Sequence, residues 1–182
     1  IDVRLGATWI DKKYIQEFME ELLQPPIYLR QSIQVNYSSY TAEWNITGKK
    51  NISFLDVNAN TTYGTSRINA YQILQESLNL RDVRVYDTVI DEDKNERRVL
   101  NQKETTLAQQ KQQAIKDAFR EWIWKDLQRR QTLVQLYNER YNSDRPREYD
   151  GSHINFGGMS PEITLREHQR NAIAHILYGG NT

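Results

Sequence analysis

The chain has 182 residues, with 24 basic and 24 acidic side chains and no cysteine. This length suits one domain or slightly more and can bury a hydrophobic core. The balanced charge gives no overall field that would attract a nucleic acid or a membrane. The lack of cysteine excludes a disulfide scaffold, a thiolate zinc site and a cysteine nucleophile. No apolar run approaches the roughly 20 residues of a membrane span. We therefore expect a cytoplasmic protein.

The first helix is predicted by the segment TWIDKKYIQEFMEELLQPP, in which apolar residues recur every four positions. Asp11 is placed to cap the start of this helix, and Pro25 and Pro26 are placed to end it. A second helix is predicted by SRINAYQILQESLNL, with Ser66 as its cap. The polar stretch GKKNISFLDVNANTTYGT between the helical segments predicts a loop around a short strand.

Two stretches alternate between apolar and polar residues, as half-buried strands do. SIQVNYSSYTAEWNIT predicts one β-hairpin, and DVRVYDTVI with RRVL predicts a second one around the acidic turn DEDKNE. If both hairpins share one antiparallel sheet, their inward-facing side chains are buried together. These side chains are Val35, Trp44, Ile46, Val83 and Val85.

A long helical pattern follows from residue 103 and is best divided into two helices, the second capped by Asp126. Residues 103–147 hold ten basic and six acidic side chains, interleaved with tryptophan and tyrosine. Such a mixture can follow a nucleic-acid backbone, but a helix with a charged outer face and an aromatic inner face looks the same. The candidate nucleic-acid contacts are Lys111, Lys116, Lys125, Arg129 and Arg130.

The last part of the chain predicts an irregular linker and a final helix. Ser160 or Thr164 can cap this helix, and Thr164 with Glu167 forms a capping-box pattern. Gly179 and Gly180 are placed to end it. The expected buried stripe comprises Leu165, Ala172, Ile173, Ile176 and Leu177.

Gln169 falls near this stripe. Its amide can pair with N6 and N7 of an adenine, or it can lie at the edge of an ordinary amphipathic helix.

The predicted fold class is therefore α+β: a small antiparallel sheet with flanking helices, followed by a long helical segment. We expect an α+β subdomain over residues 1–102, a helical arm over 103–147, and a linker with the final helix over 148–182. No pattern for a catalytic triad or a metal site is visible, and the three histidines lack the spacing of zinc ligands. We expect no catalytic residue and no metal ligand in this chain.

The sequence LREHQRNAIAHILYGGNT resembles the opening segment of superfamily-two helicases of the Swi/Snf and restriction types, which carries a Leu-Arg-x-x-Gln-x-x-Ala pattern. Longer stretches are similar to the region that precedes the motor in the large helicase–methylase proteins of bacterial mobile elements. These stretches are VRLGATWI, TYGTSRINAYQILQESLNLRDVRVYDT, KETTLAQQKQQAIKDAFREWIW and RPREYDGSHINF.

The resemblance implies a connector between a DNA methyltransferase and an ATP-driven DNA motor. Gln169 would read the adenine of ATP, with Arg166 and His168 beside it at the nucleotide edge. The phosphate-binding loop and the magnesium-holding pair of the family do not occur in the 182 residues.

ATP and magnesium are therefore expected only in a longer parent polypeptide, whose partners would be DNA and the rest of that polypeptide. A chain that opens at Ile1 agrees with this expectation. A stand-alone DNA-binding or target-recognition module and a protein-interaction scaffold remain the alternatives.

Overall fold

The computed structural model describes residues 2–90, 95–142, 148–160 and 162–179. The chain divides into two compact units, residues 1–137 and residues 138–182. In chain order the described elements are α1 (Lys12–Leu23), α2 (Ile27–Arg30), β1 (Val35–Ser38), β2 (Glu43–Ile46), a π-helical turn (Asn58–Thr62), α3 (Ala70–Leu78), β3 (Tyr86–Ile90), β4 (Glu96–Leu100), α4 (Gln102–Lys125), α5 (Leu127–Tyr141) and α6 (Glu167–Tyr178). The α+β class predicted from the sequence is confirmed.

Local caps set the helix boundaries that the sequence predicts. The Asp11 carboxylate accepts a hydrogen bond from the backbone N–H of Lys13 at 2.9 Å and so satisfies a free donor of the first turn of α1. Asp126 separates α4 from α5, because its backbone is extended and its carboxylate accepts the N–H of Arg129 at 2.7 Å. The division of the long helical pattern into two helices is confirmed.

The core of the first unit forms where α1 and α4 pack through aromatic rings. Phe18 contacts Phe119 edge-on, with 5.1 Å between the ring centroids, and it also contacts Trp122 at 5.5 Å. The five side chains expected from the hairpins lie in this same core, at exposures between 0% and 7%: Val35, Trp44, Ile46, Val83 and Val85. Their common burial is confirmed.

The strands form two separate antiparallel pairs among the described residues, β1 with β2 and β3 with β4, and not the single sheet that we expected. The reason is that side chains from helices occupy the outer edges of the first pair. Gln16 of α1 accepts from the N–H of Val35 and donates to the carbonyl of Ile33. Gln75 of α3 accepts from the N–H of Ile46. A backbone group that is already bonded to a side chain cannot bond to a third strand.

Hydrogen bonds from the backbone to helix side chains also explain why β3 begins only at Tyr86, although Val83 and Val85 are buried. The Thr105 hydroxyl of α4 accepts from the N–H of Val85 at 3.0 Å, and the Gln112 amide oxygen accepts from the N–H of Val83 at 3.2 Å. This extended segment is therefore paired with a helix and not with a strand.

Two local predictions in the first unit are wrong. The polar stretch before α3 contains a π-helical turn over Asn58–Thr62 and no strand. The cap of α3 is Asn69 and not Ser66: the Asn69 side chain accepts the N–H of Gln72 at 3.0 Å, and the Gln72 side chain accepts the N–H of Asn69 at 3.2 Å. This reciprocal capping box satisfies two backbone donors, which a single serine three residues earlier would not do.

In the second unit, α6 begins at Glu167, so neither Ser160 nor Thr164 caps it and the Thr164–Glu167 box is wrong. Gly179 follows the helix in an ordinary right-handed conformation, and Gly180 lies outside the described residues. The expected buried stripe is also wrong. Ala174 is the one fully buried residue of α6, whereas Ile176 is 80% exposed and Leu177 is 59% exposed.

Candidate functional site

The predicted nucleic-acid contacts lie along α4 and the start of α5 without forming one cluster. Lys111 and Lys125 are about 21 Å apart along α4, at 1.5 Å of rise per residue. The Lys111 ammonium donates to the carbonyl of Thr62 at 3.1 Å, whereas Lys125 and Arg130 are exposed. Lys125 and Arg130 are therefore open to a ligand.

Arg129 is held within the fold. Its guanidinium lies 3.4 Å from the centre of the Trp122 ring and donates to the Trp122 carbonyl at 3.1 Å. A carboxylate oxygen of Glu17 is 3.9 Å away, and only 11% of the Arg129 side chain is exposed. Trp122 is itself fixed by a 2.6 Å hydrogen bond from its ring nitrogen to Glu21. Arg129 therefore stabilises the junction of α4 and α5 and presents little surface to a phosphate.

Lys116 lies in a different environment, beside two arginines that are not among the predicted nucleic-acid contacts. Lys116, Arg120 and Arg4 line a cavity of about 230 Å³ that also contacts Ser77. Lys116 and Arg120 are four residues apart and therefore share a face of α4. Arg4 reaches this face only through the fold, so no spacing in the sequence could have placed it there.

Gln169 lies in the first turn of α6, and its side chain is exposed, not buried in an apolar stripe. Its Oε1 accepts a hydrogen bond from the backbone N–H of Arg166 at 2.9 Å. An amide oxygen has two lone pairs, so with respect to the residues that the structure describes, one acceptor position and both Nε2 donors stay available. The arrangement fixes the direction of the amide and still allows a two-point contact with an adenine.

The segment before α6 packs against it, so residues 148–154 are more than a linker. The Asn171 side chain accepts the N–H of Gly151 at 2.9 Å, and a Cβ at Gly151 would lie 2.1 Å from the Arg170 carbonyl oxygen. The Tyr149 ring stacks on the His175 ring with 4.8 Å between the centroids. Only glycine permits this close approach to the helix backbone.

His168 lines a shallow groove beside this contact, together with Glu148, Asp150 and His175. The pKa of Asp150 lies below its ordinary value, first because the backbone N–H of Ser152 donates to the carboxylate and next because the Ser152 hydroxyl does so. Arg166 is exposed at the start of the helix. The structure therefore places Arg166, His168 and Gln169 on neighbouring positions of one exposed turn.

Across residues 2–90, 95–142, 148–160 and 162–179, no group of three or more His, Asp or Glu side chains is arranged to hold a metal ion. Within the same residues, no helix combines the length and the apolar character needed to cross a membrane.

Comparison with known families adds one match. Residues 4–143 match a family described as a domain of unknown function, DUF8437. The chain belongs to this family. The DUF8437 match contains α1 to α5 and both strand pairs, and it ends before α6 and Gln169. No curated protein and no solved structure matches the chain.

Proposed function

We propose that this DUF8437 chain is a non-catalytic connector of a DNA helicase–methylase, which couples an ATP-driven motor to DNA. In this proposal the motor supplies the phosphate-binding loop and the magnesium, and α6 supplies the contact with the adenine of ATP. The other partners are DNA and the rest of the parent polypeptide. The proposal extends the resemblance to helicase–methylase proteins that residues 165–182 and the longer stretches quoted above carry.

The observation that carries the proposal is the position of Gln169. The Arg166 N–H orients its amide, and the exposed Nε2 can donate to N7 of adenine while the second lone pair of Oε1 accepts from N6.

Contact with DNA is supported by exposed cations in the first unit. Lys125 and Arg130 are open to solvent. Arg4, Lys116 and Arg120 line one cavity, where Asp117 lies 3.6 Å from the Arg120 guanidinium. Contacts with phosphate are independent of base sequence and weaken steeply with salt. We therefore propose weak DNA binding by this chain without sequence preference.

The sharpest test substitutes Gln169 in a polypeptide that contains the motor. Gln169→Ala removes both the adenine contact and the Arg166 hydrogen bond, whereas Gln169→Glu keeps an acceptor for the Arg166 N–H but cannot donate to N7. We expect both variants to raise the KM for ATP by roughly tenfold to a hundredfold, which corresponds to about 1–3 kcal/mol. GTP hydrolysis should change little, because guanine has an acceptor where adenine has a donor.

Recovery of normal ATP kinetics by Gln169→Glu would contradict the proposal, because the residue would then only support the helix. Equal losses for ATP and GTP would contradict it as well.

A protein-interaction scaffold is the second candidate, and the apolar face of α6 favours it. Ile176, Leu177 and Tyr178 are 80%, 59% and 59% exposed. In the first proposal this face packs against the rest of the motor. A stable dimer of the chain that dissociates on Ile176→Ser/Leu177→Ser substitution would favour the scaffold.

A further inference from the structure

A cleft of about 350 Å³ lies between α3 and the base of the β3–β4 ribbon, entirely within the first unit. None of the residues predicted as sites from the sequence lines it. Its walls come from four parts of the chain that are distant in sequence: the turn after β2, the loop before α3, one face of α3, and the β3–β4 ribbon with the segment that leads into it. The cleft is therefore a product of the tertiary structure.

Cations dominate the lining of this cleft: Lys49, Arg67, Arg84 and Arg98. Arg84 is directed away from the core because Val83 and Val85 on either side of it are buried. The guanidinium of Arg98 lies 5.0 Å from the centre of the Tyr86 ring. In the described residues, no carboxylate forms an ion pair with Arg84, Arg98 or Lys49.

Two of the four cations are held in fixed positions by the fold. The Lys49 ammonium donates to three neutral oxygens: those of the Asn45 and Gln75 side chains, at 3.0 and 2.8 Å, and the Ile46 carbonyl, at 3.2 Å. Neutral acceptors orient this ammonium and leave its charge uncompensated. Arg67 is fixed differently, by Asp87 at 2.7 Å and by the Tyr86 carbonyl at 3.0 Å.

The amides that line the cleft offer more donors than acceptors. Gln72 uses its Oε1 to cap α3, and Gln75 uses its Oε1 for Ile46 and Lys49. Within the described part of the chain, neither Nε2 donates a hydrogen bond, so both are available to a ligand. Among the described residues of the lining, Glu76 contributes the only carboxylate. A cleft with this excess of donors suits a ligand that carries acceptors and negative charge.

We propose that this cleft binds the phosphate groups of a single-stranded DNA backbone. Phosphate oxygens are acceptors only, and arginine binds them through paired N–H donors. A cleft of this size admits a phosphate with its sugar but not a duplex. Tyr86, 36% exposed, adds an aromatic ring of the kind that accompanies cations in single-strand grooves. The inference that the ligand carries phosphate groups follows from the side chains of the cleft. The choice of DNA as that ligand rests on the function proposed above.

The test measures binding of the 182-residue chain to a fluorescent single strand of about 20 nucleotides by anisotropy, over a series of salt concentrations. The cleft variant is Arg84→Ala/Arg98→Ala, which removes two exposed cations that form no ion pair with any described carboxylate. The matched control is Lys12→Ala/Arg140→Ala, which removes the same charge from exposed positions outside the cleft. A third variant, Lys125→Ala/Arg130→Ala, alters the α4–α5 surface. Melting curves verify that each variant is folded.

We expect the cleft variant to bind about tenfold more weakly or worse. The slope of the logarithm of its binding constant against the logarithm of salt concentration should decrease in magnitude by about 1.4, because each phosphate contact on a single strand contributes about 0.7. The matched control should bind like the unaltered chain, and a duplex should bind more weakly than the strand.

Three results would overturn the proposal, and they differ in what they mean for the proposed function. If the cleft variant binds as the control does and Lys125→Ala/Arg130→Ala loses affinity, the cleft is wrong and the DNA contacts of the proposed function stand. If the unaltered chain does not bind the strand at low salt, both fail. If a duplex binds more tightly than the strand, the single-strand assignment is wrong.

Discussion

The side chain of Asn79 forms two hydrogen bonds with the backbone of Trp44. Its Oδ1 accepts the Trp44 N–H at 2.8 Å, and its Nδ2 donates to the Trp44 carbonyl at 2.9 Å. A neighbouring strand would satisfy the same two groups of β2 in the same way. Gln75 accepts the N–H of Ile46 at 2.9 Å. Gln75 of α3 and Asn79, the residue that follows α3, therefore bond to the edge of β2 where a third strand would otherwise pair.

We expect Asn79→Ala to lower the free energy of unfolding by about 1–3 kcal/mol, because it leaves the N–H and carbonyl of Trp44 without partners in a part-buried position. Asn79→Asp should cost less, since a carboxylate still accepts the N–H. Urea unfolding followed by circular dichroism measures the change. Asn51→Ala, at an exposed loop position, is the control. Equal stability of the Asn79→Ala and Asn51→Ala proteins would show that α3 does not support β2.

Trp44→Ala should destabilise the first unit by about 3–5 kcal/mol, because the ring is 4% exposed and contacts the Tyr37 ring with 4.7 Å between the centroids. Trp44→Phe should cost less, since the ring nitrogen has no hydrogen-bond partner in the described residues. The denaturation midpoint is the measurement, and Tyr40→Ala, at a side chain that is 97% exposed, is the control. An unchanged denaturation midpoint for Trp44→Ala would show that the first hairpin does not contribute to the stability of the core.

Arg129 and Arg130 are adjacent but should respond differently to substitution. Arg129→Ala removes the stacking on Trp122 and the hydrogen bond to its carbonyl, so we expect a loss of about 1–3 kcal/mol of stability. Arg130→Ala should change stability by less than about 0.5 kcal/mol, because its side chain is exposed.

Thermal and urea unfolding of the two single variants provide the comparison. Similar losses would mean that the contact with Trp122 is energetically unimportant. If Arg129 supports the fold, only Arg130 can be reversed in charge to test DNA binding without damage to the protein.

The lowered pKa of Asp87 leads us to expect that the stability of the fold depends on pH. Its pKa is held below the ordinary value of 3.8, first by the hydrogen bond from Arg67 and next by that from Asn101. A lowered pKa in the folded state stabilises the fold above the ordinary pKa, and this contribution is lost as the pH falls through the lowered value. The contribution should be small, because both members of the ion pair are about 40% exposed.

The stability difference between the unaltered protein and Asp87→Asn should therefore stay constant above about pH 5 and decline below pH 3.8. Urea unfolding at a series of pH values measures it. In an Arg67→Gln background the same substitution should have less effect, because the principal partner is gone. A difference that grows on acidification would contradict this account of the ion pair.

The isolated chain should not bind ATP measurably. A single amide pair gives about 1–3 kcal/mol, which is far less than a nucleotide site obtains from a phosphate loop and magnesium. We expect no shift in melting temperature with ATP at about 1 mM, where a ligand of 1 mM dissociation constant would still give a small one. A clear shift that persists in Gln169→Ala would place an ATP site elsewhere in the chain.

The sequence by itself determined the features that depend on neighbours along the chain. The caps Asp11 and Asp126 act on backbone groups two and three residues away, so they could be recognised from order alone. The alternation that exposes one face of a strand also identified Val35, Trp44 and Ile46 as core residues. The α+β class follows from these local periods.

Tertiary structure decided how these parts meet. Gln16, Gln75, Asn79, Thr105 and Gln112 appear in the sequence as polar residues of amphipathic helices, yet each bonds to extended backbone between 19 and 35 residues away. Gln16, Gln75 and Asn79 occupy the outer edges of β1–β2, and Thr105 and Gln112 bond to the extended segment before β3. The cations of the cleft come together for the same reason, from four segments far apart in the chain. A hydrogen bond or charge contact between distant residues depends on positions in space, which no periodicity records, and for that reason the spacing of basic residues predicted Arg129 as a DNA contact, whereas in the fold its guanidinium packs on the Trp122 ring.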